Sequence, residues 1–144
     1  WERYVFKMLQ KEQSEHDYIV SYQNRKKFWN NKLIKPDIVV EYKDETLVID
    51  TKWKLVDTNK PSDADLKQMY AYNMYWESNR SMLLYPTSKD VNTEFGKFHI
   101  GSPNETSNEN LCKMGFLNIW TQSNGMISLK EGIAAEVIDQ LVEN

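Results

Sequence analysis

The sequence predicts an α/β fold in which helices flank a mixed central sheet, and three observations predict it. Apolar residues recur at helical spacing near both ends of the chain, as Trp1, Tyr4, Val5, Met8 and Leu9 and again as Ile133, Val137 and Leu141. Between them stand β-branched runs, Ile38-Val39-Val40 and Leu47-Val48-Ile49, then a helical stretch followed by the continuous apolar run Ser81–Tyr85. The length, 144 residues, is enough for one core and too little for two ordinary domains, so a single domain over residues 1–144 is expected.

The first helix covers residues 1–12, and at about 100° per residue Glu2 lies on the edge of its apolar stripe, looking inward. Tyr18–Tyr22 reads as a first strand. A basic segment then leads to a hairpin formed by Ile38-Val39-Val40 and Leu47-Val48-Ile49. Thr58–Asp63 is a turn cluster whose Ser62 or Asp63 caps a helix running to about Ser78. Leu66, Met69, Tyr70 and Met74 lie on one side of that helix and Tyr72, Tyr75 and Trp76 on the other, so most of its circumference is expected to be covered. Ser81–Tyr85, ended by Pro86, reads as a central strand. Further strands are expected at Phe95–Ile100 and Lys113–Trp120, separated by the polar loop Gly101–Asn110, and a closing helix at Leu129–Val142. The order is an αβββαβ core with extra strands and a C-terminal helix.

Composition excludes several function classes. Five Trp and eight Tyr within a 12% aromatic fraction exclude an intrinsically disordered chain. No apolar run approaches 18 residues and Trp1-Glu2-Arg3 opens no signal segment, so the expected compartment is cytoplasmic and no membrane partner is expected. Because the chain does not begin with Met, it is expected to be a fragment of a longer protein. Cys112 alone makes neither an internal disulfide nor a cysteine zinc site, and five Gly without a GxGxxG or phosphate loop build no nucleotide cradle. His16 and His99 lack metal-ligand spacing, no Ser stands in GxSxG, and Cys112, Met69 and Met74 are expected in the core. The net charge of −3 argues against coating nucleic acid by bulk electrostatics. Yet no Asp or Glu occurs from Tyr18 to Pro36, where Arg25, Lys26, Lys27, Lys32 and Lys35 stand among Phe28, Trp29 and three Asn. Such a segment either tracks a phosphate backbone or is a solvated basic loop.

The hairpin carries the chemistry, because Pro36-Asp37 is followed after twelve residues by Asp50-Thr51-Lys52. With a four-residue loop Lys43–Thr46, Tyr42 pairs with Leu47, Val39 lies opposite Asp50 and Asp37 opposite Lys52, all on one face. Asp37 and Asp50 become diagonal neighbours about 7–8 Å apart, a gap two carboxylates close around one divalent ion. Glu41 shares the face as a reserve ligand. Among Ile, Val and Leu, two carboxylates and an ammonium are costly unless paired or metal-bound. The set suits Mg²⁺ and a phosphodiester: the cation polarises the phosphoryl oxygen and acidifies a water, while Lys52 orients that water or steadies the pentavalent charge. The plainer alternative is an edge hairpin with a wet polar face, in which Asp50 and Lys52 are a simple charge pattern.

These residues, in an αβββαβ order, resemble the PD-(D/E)XK nuclease superfamily, and Gln68-Met69-Tyr70-Ala71-Tyr72 is similar to the QxxxY motif of its RecB-like branch. Within that branch, Lys35-Pro36-Asp37-Ile38-Val39-Val40, Val48-Ile49-Asp50-Thr51-Lys52-Trp53-Lys54 and Asp65–Tyr72 look closest to the McrC family, the nuclease subunits of McrBC restriction systems that cut modified DNA. The resemblance covers roughly residues 1–86 and is sharp at those three motifs. It implies a restriction-endonuclease-like fold and a Mg²⁺- or Mn²⁺-dependent DNA endonuclease leaving 5′-phosphate and 3′-hydroxyl ends. Its implied partners are DNA and a McrB-like AAA+ GTPase reached through a missing N-terminal region. It further implies that Asp37 and Asp50 hold the metal with the Thr51 carbonyl as a further ligand, that Lys52 stands beside the attacking water, and that Gln68 and Tyr72 bond the scissile phosphate or brace Lys52. Glu2 matches a first-helix acid that can complete the metal site, with Glu12 and Glu15 nearby in sequence, and Trp53 stands where an aromatic is usual after the Lys. Apart from the resemblance, Gln68 reads equally as a buried amide on backbone and Tyr72 as a core aromatic. A RecB-like exonuclease or resolvase of the same fold, and an inactive nuclease-like interaction or DNA-binding module, are the rival expectations.

Overall fold

The computed structural model describes residues 1–56, 60–89, 91, 93–99, 101 and 109–143. Helix α1 (Glu2–Glu12) buries Val5 and Leu9, with Trp1, Tyr4 and Met8 packed beside them, as the spacing predicts. Strand β1 (Tyr18–Tyr22) follows, then a short ribbon, β2 (Lys26–Trp29) and β3 (Lys32–Ile34), and the hairpin β4 (Ile38–Tyr42) and β5 (Glu45–Thr51). Next come α2 (Asp63–Trp76), β6 (Arg80–Pro86), β7 (Gly96–Lys97), β8 (Leu111–Leu117), β9 (Trp120–Ser123), β10 (Met126–Leu129) and α3 (Ile133–Val142). No helix of the described residues is long and apolar enough to cross a membrane.

Six strands form one mixed sheet in the order β1-β4-β5-β6-β8-β7, with β5, β6 and β8 parallel and the remaining pairs antiparallel. Alternation along the strands divides the core in two. Ile38, Val40, Leu47, Ile49, Met82 and Leu84 face α1 and α3, whereas Val39, Val48, Leu83 and Tyr85 face α2. Gly115 in β8 leaves room for Met82, because a Cβ there would overlap the Met82 side chain.

Helix α2 is the crossover between the parallel strands β5 and β6, so its first turns rise beside the carboxyl ends of both, where open α/β sheets place their ligands. It starts on Ser62, whose Oγ accepts from Asp65 N at 3.1 Å, and ends on Glu77 in the left-handed region at φ 52°. Met69, Tyr72, Asn73 and Trp76 are buried, but Met74 is solvent-exposed and not in the core. Cys112 is buried in the core as expected.

The hairpin register corrects the predicted loop. Only Lys43 and Asp44 form the turn, both left-handed at φ 47° and 64°, and Tyr42 pairs with Glu45. A two-residue turn with both residues left-handed has the twist that antiparallel strands need, which a four-residue loop does not supply as directly. Val39 therefore pairs with Val48 rather than Asp50, and one further step beyond Ile38↔Ile49 brings Asp37 across from Asp50 rather than Lys52. The slip is two residues, an even number, so every side chain keeps its predicted face.

Other boundaries also move. The basic segment is a ribbon, β2–β3, and not a plain loop. Among the described residues the expected strand Phe95–Ile100 pairs only at Gly96–Lys97; its last residue lies outside them, as do residues 58–59 of the turn cluster and 102–108 of the polar loop. The expected strand Lys113–Trp120 ends at Leu117, and Trp120 opens a separate hairpin, β9–β10. Leu129 ends β10, so α3 starts only at Ile133, with the left-handed Gly132 at φ 70° as its N-cap.

Candidate active site

Parity puts Asp37, Asp50 and Lys52 on the α2 side of the sheet, at the carboxyl end of β5. Beyond β5 the backbone stays beside β6, with Lys52 N donating to Leu84 O at 2.9 Å, which holds Lys52 next to the first turns of α2. Asp37 Oδ2 accepts from both Thr51 N (2.7 Å) and Thr51 Oγ1 (2.8 Å). Strand β5 is thereby tied to the entry of β4, and the two acids are kept adjacent.

Asp50 is 3% exposed, and among the described residues its Oδ2 takes no hydrogen bond beyond ion-pair contact with Lys52 Nζ at 2.7 Å. Burial pushes its carboxyl up to about 6 against the pull of Lys52, and the like charge of Asp37 adds to the rise. Asp37 is also raised, first by burial and then, against its bonds from Thr51, by Glu2. Burial opposes the Lys52 ammonium, but the surrounding carboxylates outweigh it and its pKa rises. Two adjacent carboxylates whose charge the fold disfavours are a donor set whose chemistry fits a divalent cation.

From Lys52 a chain of hydrogen bonds runs along α2. Lys52 Nζ donates to Gln68 Oε1 (3.2 Å), Gln68 Nε2 donates to Tyr72 Oη (2.7 Å), and Tyr72 Oη donates to Lys35 O (2.9 Å). Gln68 and Tyr72 are one turn apart on one face, so the helix sets their spacing. The chain ends two residues before Asp37, closing a loop around the site. Burial pushes the Tyr72 hydroxyl up to about 12, with Asp50 adding to it, which keeps the phenol protonated as a donor.

Glu2 lies close enough to Asp37 to raise its pKa, and its Oε1 accepts from Gln23 Nε2 at 2.7 Å. Among the described residues no three His, Cys, Asp or Glu side chains gather tightly enough to cage a metal. Mg²⁺ does not need such a cage, since it keeps waters and takes one or two carboxylates plus substrate phosphate. The buried, hydrogen-bond-poor Asp50 oxygen beside Asp37 fits that mode. Glu12 contacts His16, and Glu12 and Glu15 act on Tyr18, at the far end of α1. Glu41 is exposed opposite Thr46, towards the turn and away from Asp50. Trp53 is 70% exposed beside Trp1, with ring centroids 5.6 Å apart.

Asp65 joins the site without having been singled out by the sequence motifs. Its Oδ1 lies 3.0 Å from Lys52 Nζ, so the ammonium sits between two carboxylates, and Lys52 with Ser62 holds the Asp65 pKa down against partial burial. The signal was present, because Asp65, Gln68 and Tyr72 fall at i, i+3 and i+7, one polar stripe of α2 facing the hairpin.

A family model described as McrBC 5-methylcytosine restriction system component matches residues 1–86. The chain is also similar in fold to the refined half-complex from the tetradecameric assembly of Thermococcus gammatolerans McrB AAA+ hexamers with bound McrC, at 16% identity and a TM-score of 0.55. That similarity covers 82% of this chain and 27% of the other, so the chain spans about a quarter of the solved protein's length. A weaker similarity, at 15% identity and a TM-score of 0.37, links 58% of the chain to 47% of a protein of unknown function solved by crystallography. No curated protein matches the sequence.

Proposed function

The chain belongs to the family of McrBC 5-methylcytosine restriction system components, and we propose that it is the DNA-cleaving unit of such a system, a Mg²⁺- or Mn²⁺-dependent endonuclease of the PD-(D/E)XK type. The observation that carries this reading is the juxtaposition of Asp37, buried Asp50 and Lys52, with Lys52 continued through Gln68 to Tyr72. Its partners are DNA carrying 5-methylcytosine, in line with the family's description, and a McrB-like AAA+ GTPase, by analogy with the McrB-bound relative.

Asp37 and Asp50 would hold the divalent cation, with the Thr51 carbonyl as a further oxygen donor and Glu2 adding negative charge beside Asp37. When bound, the cation supplies Lewis acidity at the phosphoryl oxygen and acidifies a water. Lys52 Nζ is held by Asp65 and Gln68 as well as by Asp50, so with a cation on Asp50 it would keep two of its three partners and would be available to steady the attacking water and the charge on the phosphorus oxygens. Gln68 holds the ammonium by its Oε1, and Tyr72 orients the Gln68 amide by taking its N–H.

Nicking of a supercoiled plasmid carrying 5-methylcytosine, with the GTPase partner, GTP and Mg²⁺ or Mn²⁺, tests the proposal. Asp50→Ala and Lys52→Ala are each expected to lower the rate by roughly 100-fold or more, and EDTA to abolish it. Equal cleavage by wild type and both variants overturns the assignment.

A further inference from the structure

The ribbon β2–β3 is rooted in the candidate site. Its two ends are closed by Gln23 N donating to Asp37 O at 2.9 Å, while the Gln23 side chain holds Glu2. One face of the ribbon is fastened to α2. Lys26 Nζ donates to Tyr75 O at 2.6 Å and lies 4.9 Å from the Trp76 ring, the Phe28 ring meets Tyr75 at 5.9 Å, and Ile34 packs into the core under α2. The tip is free among the described residues: Trp29 is 62% exposed and the turn turns over through left-handed Asn30 at φ 50°.

Lys27 pairs with Leu33, one step out of phase with the fastened pair Lys26 and Ile34, so alternation points Lys27 away from α2. Trp29 pairs with Lys32 beyond the bulge, and Lys32, two residues from Ile34, lies on the other face from Lys27, so Lys27 and the Trp29–Lys32 pair flank the arm from its two sides near the tip. Arg25, Lys27, Lys32 and Lys35 are all exposed, and no acid lies between Tyr18 and Pro36. This concentrates positive charge on a chain whose net charge is −3, directly beside carboxylates that repel a phosphate backbone.

We propose that the β2–β3 ribbon is an arm that grips the sugar–phosphate backbone of duplex DNA next to the scissile phosphate, through Lys27, Lys32 and the exposed Trp29. The proposal deepens the nuclease reading and rests on it. Four residues at about 3.3 Å each extend the arm about 13 Å, close to the rise of four base pairs, so its tip engages phosphates flanking the cut and not the cut itself. The contacts are to backbone, which makes the grip independent of base sequence.

Fluorescence anisotropy with a labelled 30-base-pair duplex in EDTA reads binding without cleavage. Lys27→Ala/Lys32→Ala is expected to weaken binding roughly tenfold or more and to reduce the slope of log affinity against log salt by about 2, equally for unrelated sequences. Trp29→Ala weakens it further, while Lys7→Ala/Lys11→Ala on the outer face of α1 behaves as wild type. Wild-type affinity and slope in the ribbon variants overturn the proposal, as does a loss confined to association with the GTPase partner. A chain that binds through the ribbon yet never cleaves leaves this inference standing and sinks the nuclease reading.

Discussion

At Asp50 the fold holds a carboxylate at a cost. Its pKa is raised to about 6 by burial, so the folded chain binds a proton there that the unfolded chain has already lost above pH 4, and ionisation destabilises the fold as pH rises towards 6. In EDTA at pH 7.5, Asp50→Asn is therefore expected to stabilise the protein by roughly 1–3 kcal/mol in urea unfolding while removing cleavage; a destabilised variant contradicts this. Asp65 has the opposite role, since it steadies the Lys52 charge. Asp65→Asn is expected to lower kcat about tenfold with little change in KM, with partial rescue by Asp65→Glu. Asp37, Asp50 and Lys52 were legible because strand parity decides which face they share, whereas Gln68 and Tyr72 were legible through the resemblance to the QxxxY motif, their spacing of one helical turn serving only to put them on one face. Asp65 was not, because an acid in a helix's first turn already has a local reason to be there.

At the scale of elements, the hairpin shows why face survives where register fails. The turn at Lys43-Asp44 is two residues tighter than expected, yet an even slip leaves Asp37 and Asp50 on the side of α2. The ribbon escaped detection for a different reason: all four residues of β2 are exposed, so no alternation marks it as a strand. Helix α3 is similar, its start being set by Gly132 backbone conformation and not by the apolar period. Strand β8 carries its own test. Gly115→Ala drives a methyl into the buried Met82 side chain, and a loss of about 1–3 kcal/mol in chemical unfolding is expected, relieved by the double variant with Met82→Val. An unchanged midpoint for Gly115→Ala contradicts that packing.

Across the whole molecule, the mixed sheet with α2 on one face and α1 and α3 on the other brings the ends of two parallel strands and the start of one helix to a single edge. Tyr18, Tyr72 and Tyr85, spread over both core layers, are each pushed up to about 12 by burial. Between pH 10 and 12 the unfolded chain loses protons that the folded chain keeps, so stability falls through that window, by up to about 2–3 kcal/mol per tyrosine. A urea midpoint that holds steady from pH 9.5 to 11.5 contradicts this. At the edge where these layers meet, titration of the metal-free chain with Mn²⁺, followed by electron paramagnetic resonance, decides whether Asp37 and Asp50 hold a divalent cation. Wild type is expected to take up Mn²⁺ saturably and Asp37→Ala/Asp50→Ala to lose that uptake; no uptake by wild type, or uptake unchanged in the double variant, contradicts that assignment.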